Sequence, residues 1–251
     1  MIRIVLHGCN GTMGDVITRL AEKDEELQIV AGIDVEDQAK YGFPVFTAPD
    51  MCDIDADVVI DFSVAKAADA LLDFCEKRGL PVVLCTTGLS NYQLEKENKA
   101  AEKVAVLQSA NMSLGINLLV KVLKEATKTL APQGYDIEIL EKHHHWKLDA
   151  PSGTALVLAD SINSAMDKTY HYKYDRHSTF EKRDAMEIGI QAIRGGNLAG
   201  EHDVYFIGED EVITFSHIAY SRSVFGKGAL AAAKFLAGKK PGLYSMADVV
   251  G

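Results

Sequence analysis

The sequence is poor in the features that mark secreted, membrane-spanning or nucleic-acid-binding proteins. Its 251 residues include only four cysteines and no C-x-x-C pair, which excludes a disulfide scaffold and predicts reduced thiols. No apolar run has the length of a membrane span, and the segment MIRIVLHGCNG lacks the apolar stretch of a signal peptide. We therefore expect a cytoplasmic protein without a membrane partner.

Basic charge is scarce as well. The chain has 26 Lys and Arg residues against 36 Asp and Glu residues, a formal net charge of −10. Because an acidic protein binds polyanions poorly, we expect no nucleic-acid partner. An anionic substrate would need a locally basic site.

The first part of the chain alternates short apolar runs with helical patterns. Strands are predicted over residues 2–6, 28–33, 57–61, 81–85 and 104–107. Helices are predicted over residues 15–24, 65–78 and 91–103. This order predicts an α/β domain in which helices cover both faces of a parallel sheet.

The pattern changes from residue 114 onwards. Helices are predicted over 114–130, 152–166 and 225–236, strands over 135–143, 188–193, 201–207 and 211–219, and a polar loop over 167–184. The later strands predict a mostly antiparallel sheet. No Pro- or Ser-rich linker separates the two parts. We therefore expect that an α+β domain, residues 114–218, is inserted into a domain made of residues 1–113 and 219–251.

A glycine-rich loop follows the first predicted strand. Gly8, Gly11 and Gly14 form G-x-x-G-x-x-G ahead of a helix, and Asp34 ends the second strand. The alternative is an ordinary strand–helix turn, but the strand–loop–helix context and the acid favour dinucleotide binding. A carboxylate at that place suits a ribose hydroxyl, which favours NADH over NADPH. The loops 85–88 and 109–113 lie at further strand ends, where ligands of open sheets bind.

The segment EKHHHWKLDAPSGTA, residues 141–155, joins proton donors to a helix start. If it stays extended, His143 and His145 share one face and His144 takes the other. Lys147 adds an amine, and Ser152 can cap a helix whose first amides would hold a carboxylate. A metal site is disfavoured because no third ligand is evident, and a solvated polar loop is the remaining alternative.

Other polar residues of the later segment receive plainer interpretations. For Arg194 and Arg222 three interpretations remain open: a surface ion pair, a turn residue, or part of a functional site. For Glu201 and His202 we favour a surface ion pair or turn.

With these motifs the sequence resembles the dihydrodipicolinate reductase (4-hydroxy-tetrahydrodipicolinate reductase) family. The segment E-x-H-H-x-x-K-x-D-A-P-S-G-T-A carries the resemblance, and every fixed position is present in residues 141–155. The glycine loop and the segments 61–63, 86–88, 193–195 and 200–202 also match, so the resemblance covers nearly the whole chain. It implies NAD(P)H-dependent reduction of dihydrodipicolinate or 4-hydroxy-tetrahydrodipicolinate to tetrahydrodipicolinate in lysine biosynthesis.

The resemblance also implies architecture and residue roles. The fold would be a Rossmann-like nucleotide domain with an inserted substrate domain, whose sheet builds a homotetramer. His143 would donate a proton, Lys147 would be the second donor or an electrostatic group, and His144, Gly153 and Thr154 would bind a small dicarboxylate. The implied cofactor contacts are Gly8, Cys9, Asn10, Gly11, Thr12, Met13, Asp34, Cys85, Thr86, Thr87, Ser109, Ala110, Asn111 and Met112.

Three positions depart from the family pattern. Thr12 stands where arginine is usual, Cys85 replaces a glycine and Met112 replaces a phenylalanine. The missing arginine further favours NADH, with NADPH as the other possible cofactor. The last two changes alter the expected surroundings of the nicotinamide.

Two hypotheses from other classes stay open at this point. Another NAD(P)-dependent amino- or imino-acid dehydrogenase would share the glycine loop, yet has no reason to carry the whole His-His-Lys and Ser-Gly-Thr segment. A nucleotide-binding regulator would need a DNA-binding module, and the sequence contains neither a helix-turn-helix pattern nor a basic stripe.

Overall fold

The computed structural model describes residues 1–177 and 180–251, which form two compact units. Unit 1 comprises Met1–Leu114 and Arg222–Gly251, and unit 2 comprises Gly115–Ser221. The chain therefore leaves unit 1 once, builds unit 2 and returns to unit 1.

The described residues contain twelve strands and seven α-helices. The strands are β1 (Ile2–His7), β2 (Leu27–Ile33), β3 (Val45–Phe46), β4 (Val58–Asp61), β5 (Val82–Leu84), β6 (Ala105–Gln108), β7 (Asp136–His143), β8 (His171–Lys173), β9 (Glu187–Arg194), β10 (Gly200–Ile207), β11 (Val212–Ala219) and β12 (Gly242–Tyr244). The helices are α1 (Thr12–Ala21), α2 (Ala68–Arg78), α3 (Asn91–Ala101), α4 (Leu114–Leu130), α5 (Gly153–Ser164), α6 (Ser223–Leu236) and α7 (Met246–Val250).

Unit 1 is built on a seven-stranded sheet in the order β12-β6-β5-β4-β1-β2-β3, and every pairing is parallel. Its central strand β4 is buried along its whole length, as expected where helices cover both faces. Ile17 of α1 and Leu230 of α6 belong to one apolar cluster, while Leu71 of α2 and Ala100 of α3 belong to the other. The predicted Rossmann-like α/β architecture is confirmed.

Capping residues mark the start of α3 and the end of α2 in unit 1. Ser90 caps α3 by accepting a hydrogen bond from the backbone N–H of Gln93, and the side-chain oxygen of Gln93 accepts one from the backbone N–H of Ser90. Gly79, with a φ of +65°, ends α2 in the left-handed conformation that favours glycine. Beyond Gly238 and Pro241, which end the predicted last helix, β12 extends the sheet at its edge and α7 follows.

Unit 2 contains a mixed sheet in the order β11-β10-β7-β9-β8. β10 pairs antiparallel with β11 and β7, whereas β9 pairs parallel with β7 and β8. Leu123 of α4 and Leu158 of α5 join Ile137 and Ile139 of β7 in one apolar cluster. The helices α4 and α5 thus provide the apolar cover of this sheet.

Two sequence expectations for unit 2 are wrong. The sheet is not mostly antiparallel, because α5 lies between β7 and β9 in the chain and such a crossover joins parallel strands. The polar loop predicted over 167–184 contains β8, whose three residues are too few to show a period of two. Positions 178 and 179 of that loop lie outside the described residues.

Two further features of the chain concern its cysteines and the character of its helices. All four cysteines are free and buried. Across residues 1–177 and 180–251, none of the helices combines the length and the apolar character that crossing a membrane requires.

Glu97 of α3 is a buried carboxylate outside any candidate site, and it gives a prediction about stability. It is 3% exposed, and its Oε1 has no hydrogen-bond partner in the described part of the chain. Burial raises the pKa of Glu97 from 4.5 to about 7. The folded state therefore retains a proton that the unfolded state has lost, and stability falls as the pH rises from 4.5 through 7.

Glu97→Gln removes that titration. We expect the free energy of unfolding to rise by up to about 3 kcal/mol at about pH 8, with a smaller gain at about pH 5. Urea denaturation at the two pH values measures the effect, and Glu95→Gln, an exposed carboxylate on the same helix, is the control. An equal gain at both pH values would contradict the pKa assignment.

Candidate active site

The glycine loop of unit 1 joins β1 to α1 at the carboxyl edge of the sheet. Gly8 has a φ of +80°, and a Cβ there would lie 2.5 Å from the backbone oxygen of Phe62. A Cβ on Gly14 would lie 2.2 Å from the backbone oxygen of Cys9. Both positions therefore need glycine for close backbone approach, while Gly11 precedes the first turn of α1 and is exposed.

A cavity of about 520 Å³ opens beside this loop. Its lining comprises His7, Gly8, Asn10, Gly11, Asp34, Val35, Glu36, Phe62, Ser63, Val64, Lys66 and Ala67. Asp34 accepts hydrogen bonds from the backbone N–H groups of Asn10 and Val35, at 2.8 Å each. These bonds fix the carboxylate at the end of β2, where each oxygen retains a lone pair for a hydroxyl.

A second cavity, of about 300 Å³, lies at the ends of β5 and β6. Its lining comprises Met13, Phe62, Cys85, Thr87, Ser109, Ala110, Met112, Arg222 and Phe225. Arg222 is the basic group among these residues. Phe62 belongs to both cavities, so the two adjoin along the edge of the sheet.

The structure distributes the sequence-predicted cofactor residues over these cavities. Gly8, Asn10, Gly11 and Asp34 line the larger one, and the smaller one takes Met13, Cys85, Thr87, Ser109, Ala110 and Met112. The remaining four, Cys9, Thr12, Thr86 and Asn111, line neither. Cys9 and Thr86 are buried and Thr12 is exposed, so their side chains do not form the walls.

In unit 2, the histidine segment begins where β7 ends. The backbone of His143 accepts a hydrogen bond from the N–H of Gly195, and the N–H of His144 donates to Leu198. The chain then turns, so His145 is exposed rather than on the same face as buried His143. The extended conformation on which alternation of the three histidines depends therefore ends at His143.

Glu141 is the centre of a buried polar network. Its carboxylate, with no exposed surface, accepts two hydrogen bonds from Arg194 at 2.7 Å each, one from Ser152 N–H at 2.9 Å, and lies 2.6 Å from His143 Nδ1. Burial alone would raise the pKa of Glu141, but these hydrogen bonds outweigh it and lower the pKa to about 2. The carboxylate is therefore ionised at neutral pH.

His202 adjoins this network and is not the surface residue that the sequence favours. It is 4% exposed, its Nε2 lies 2.9 Å from Ser152 Oγ, and its ring meets that of His143 edge-on at 5.1 Å. Glu201, next along β10, does form the expected ion pair, with Lys142 at 3.0 Å. The two neighbours differ because successive side chains of a strand point to opposite faces.

Burial, followed by the neighbouring His143, lowers the pKa of His202 from 6.5 to about 4. The unfolded chain binds a proton between these values while the folded protein does not, so stability falls as the pH drops from 6.5 towards 4. His202→Gln should remove up to about 3 kcal/mol of this acid destabilisation. Denaturation at about pH 7 and pH 4.5 measures it, with exposed His145→Gln as control; an unchanged loss in His202→Gln would refute the assignment.

Lys147 and the start of α5 form the other part of the segment. Lys147 Nζ lies 2.8 Å from Asp149 Oδ1. Hydrogen bonding from Lys147 is the main cause that lowers the pKa of Asp149, and the backbone amide of Gly153 adds to it. Ser152 caps α5 by accepting from Ala155 N–H. An ammonium group and a helix-start amide thus already face one carboxylate.

The remaining predicted residues of unit 2 stand beside this part. Thr154 is half-buried in the first turn of α5, and His144 is half-buried with its ring 5.5 Å from that of Trp146. Within the described residues, no group of three or more His, Cys, Asp and Glu side chains is arranged to hold a metal ion.

Sequence reasoning assigned no role to several residues that the structure brings to these sites. Glu141 lies inside the motif, but only the pairing of β7 with β9 and β10 sets Arg194 opposite His143 and His202 opposite Glu141. In unit 1, His7 Nδ1 lies 2.7 Å from Asp61 Oδ1, and both are buried. No periodicity signals these contacts, because they depend on strand register.

The comparisons with known proteins agree in both units. The model of the dihydrodipicolinate reductase N-terminus matches residues 2–112, and that of the C-terminus matches residues 115–250. A 4-hydroxy-tetrahydrodipicolinate reductase of Caldanaerobacter subterraneus subsp. tengcongensis is 52% identical over 250 residues, which cover 100% of this chain and 98% of the relative. The one from Clostridium novyi is 47% identical with the same coverage.

Solved structures extend the comparison. A dipicolinate-bound dihydrodipicolinate reductase from Paenisporosarcina sp. TG-14 has a TM-score of 0.83 and 26% identity, covering 98% of this chain and 97% of that chain. A probable dehydrogenase from Thermotoga maritima, at 14% identity and a TM-score of 0.63, covers 99% of this chain and 92% of its own, and shares the fold alone. From its two matched halves and its full-length relatives, the chain belongs to the dihydrodipicolinate reductase family, that of the NAD(P)H-dependent 4-hydroxy-tetrahydrodipicolinate reductases.

Proposed function

We propose that this chain reduces 4-hydroxy-tetrahydrodipicolinate to tetrahydrodipicolinate with residues of unit 1 holding the dinucleotide and residues of unit 2 holding and protonating the substrate. The observation that carries the residue assignment is the buried Glu141 carboxylate, which holds His143 and the start of α5 together. When bound, a reduced nicotinamide supplies the hydride. All other steps fall to side chains and backbone amides of this chain.

The larger cavity is our proposed site for the adenosine and pyrophosphate end of the cofactor. Gly8 and Gly14 let the loop backbone pack closely, which leaves the start of α1 free to face phosphate groups. Asp34, held by two backbone amides, would accept hydrogen bonds from the ribose hydroxyls. Contacts from the backbone of Cys9, Thr12 and Met13 complete the proposed loop site.

We further propose that NADH is preferred over NADPH. The larger cavity carries two carboxylates, Asp34 and Glu36, against one ammonium, Lys66. A second nearby ammonium, Lys40, is already engaged by the backbone oxygen of Asn10 at 2.6 Å. A 2′-phosphate would therefore meet a cavity wall of net negative charge, and Thr12 provides no cation to offset it.

The smaller cavity is the proposed nicotinamide site, with backbone contacts from 85–87 and 109–112. Met112 and Cys85 are both buried. Burial raises the pKa of the Cys85 thiol well above its usual value, so this thiol is neutral. A neutral thiol suits an uncharged ring environment. Arg222 is the group in this cavity that would offer a positive charge.

In unit 2, the proposed substrate site is a cradle for a carboxylate. Gly153 is exposed at the first turn of α5, and its amide with that of Thr154 would hold one carboxylate of a small dicarboxylate. The Asp149 carboxylate is paired with Lys147 and lies near the Gly153 amide. A carboxylate is thus compatible with these two groups, which supports their proposed use. Substrate would replace Asp149 on Lys147, and His144 would add a further contact.

Proton delivery is assigned to His143 with Lys147 as the second cationic group. Negative charge develops on the substrate ring as hydride arrives, and cations placed at that point lower the barrier. One of the two then protonates the adjacent ring atom. A donor held in one orientation would limit protonation to one side of the substrate.

A homotetramer and a cytoplasmic location complete the proposal. Apolar side chains remain exposed along β11, with Val212 56% and Ile218 48% exposed, which supports a subunit interface on this strand. Light scattering on the purified protein measures the mass. A monomer at assay concentration would refute the tetramer without touching the reductase assignment.

The direct test is oxidation of NADH, and then NADPH, followed by nicotinamide absorbance with freshly generated substrate. We expect rapid loss with NADH and slower loss with NADPH. Pyridine-2,6-dicarboxylate, an unreactive planar analogue, should raise the melting temperature together with NADH. No oxidation of either cofactor despite nucleotide binding would overturn the proposed activity.

A further inference from the structure

Glu141 uses its whole accepting capacity on three different groups. Oε1 accepts from Ser152 N–H and Arg194 Nη2, while Oε2 accepts from Arg194 Nη1 and stands against His143 Nδ1. A carboxylate offers about four lone-pair positions, and these four contacts occupy them. One buried side chain therefore links the imidazole of β7 to the cap of α5.

The chemistry of these partners determines which nitrogen of His143 holds a fixed proton. Ionised Glu141 can only accept, and Arg194 beside it can only donate. The proton on the short His143–Glu141 hydrogen bond must therefore belong to Nδ1. Nε2 is then the ring nitrogen that is available to a substrate.

We propose that Glu141 is the positioning residue of the reaction, which sets the tautomer of His143 and holds the substrate-carboxylate cradle at a constant distance from it. The inference rests on the proposed role of His143 as proton donor. In the donating step the Nε2–H bond breaks and a C–H bond forms on the substrate, while the nitrogen lone pair stays on the ring. His143 is left neutral with its proton on Nδ1, still donated to Glu141, and solvent reprotonates Nε2.

Nearby residues fit this division of roles. His202, on the adjacent strand, faces Ser152 Oγ and the edge of the His143 ring, and Lys147 lies close enough to influence the charge on His202. A Cβ on Gly200 would lie 3.0 Å from His143 Nε2, so the glycine gives that nitrogen room. The network thus holds Nδ1 and leaves space at Nε2.

The alternative is that Glu141 and Arg194 merely tie β7 to β9. The same strand provides a matched control, because Glu138 forms an ion pair with Arg183 at 3.0 Å, and no histidine among the described residues is paired with it. Glu138→Gln removes a carboxylate–arginine pair from β7 and leaves His143 untouched. A purely structural role predicts similar effects of the two substitutions on turnover.

The experiment compares Glu141→Gln with Glu138→Gln by three measurements: imidazole nitrogen chemical shifts, steady-state kinetics and NADH binding. In the wild type, neutral His143 should carry its proton on Nδ1. In Glu141→Gln the amide can donate as well as accept, so we expect the Nε2–H tautomer to appear and kcat to fall about 100-fold. The dissociation constant for NADH should change by less than about twofold, and Glu138→Gln should retain wild-type tautomer and kcat.

Retention of the Nδ1–H tautomer in Glu141→Gln, or equal losses of kcat in the two variants, would overturn the proposal. If Glu141→Gln does not fold, Glu141→Asp takes its place, since it keeps an anionic acceptor. The Nδ1–H form in that variant supports the proposal, and the Nε2–H form overturns it. Inactivity of the wild type would instead refute the proposed function, while the tautomer measurement still tests Glu141.

Discussion

In steady-state assays, His143→Gln should turn over the dicarboxylate substrate about 1,000-fold more slowly than the wild type, with an unchanged dissociation constant for NADH. The variant removes the group proposed to deliver the proton, and a Gln amide cannot replace it as an acid. The cavities of unit 1 contain no part of His143, so nucleotide binding should persist. Rates with saturating substrate and fluorescence titration with NADH measure the two quantities.

The control for this loss is His145→Gln. His145 lies two positions along the same segment and is exposed at the turn, where its ring contacts Trp146. It should keep kcat within about threefold of the wild type. Wild-type-like turnover in His143→Gln, with the fold retained by circular dichroism, would refute the donor assignment and leave Lys147 as the candidate.

Replacement of Asp34 should invert the cofactor preference. Asp34→Ser removes the charged acceptor of the ribose hydroxyls, and we expect kcat/KM with NADH to fall about 100-fold, or about 3 kcal/mol. With NADPH the same change removes a repulsive charge and should raise kcat/KM about tenfold. The ratio of the two specificity constants should therefore move by about 1,000-fold.

Glu36→Gln serves as the matched control. Glu36 lines the same cavity and is exposed, without the two backbone hydrogen bonds that hold Asp34. Its replacement should move the ratio by less than about tenfold. Equal shifts in both variants would show that general negative charge, rather than a directed hydrogen bond from Asp34, controls the choice of cofactor.

Much of unit 1 was predictable because its main strands are short, uninterrupted apolar runs and its helices have clear starts. The segments at 58–61 and 82–84 are buried on both faces, which requires continuous apolar residues that stand out in a sequence. β3, β8 and β12 were missed because two or three residues cannot display a period. β12 in addition pairs with β6, which lies far away in the chain, whereas β3 and β8 pair with the strands next to them in sequence, β2 and β9.

The candidate site divides in the same way. The motif 141–155 identifies His143, Lys147 and Gly153 because they are close in sequence and carry recognisable chemistry. Arg194 and His202 lie about 50 residues further on, in strands whose register decides which side chains face Glu141. The sequence alone suggested a surface position for His202, while the sheet places it in the core.

The amino-acid pattern alone was enough to predict the α/β class of unit 1, the glycine loop with Asp34, and the segment that carries His143 and Lys147. Those features depend on local spacing and on the chemistry of single residues, which a linear pattern retains. The folded chain was needed to learn that Glu141 is buried and ionised, that Arg194 and His202 complete its surroundings, and that the sheet of unit 2 is mixed. The reason is physical: burial and strand register arise from contacts between distant segments, and those contacts determine both the charge and the orientation of the groups.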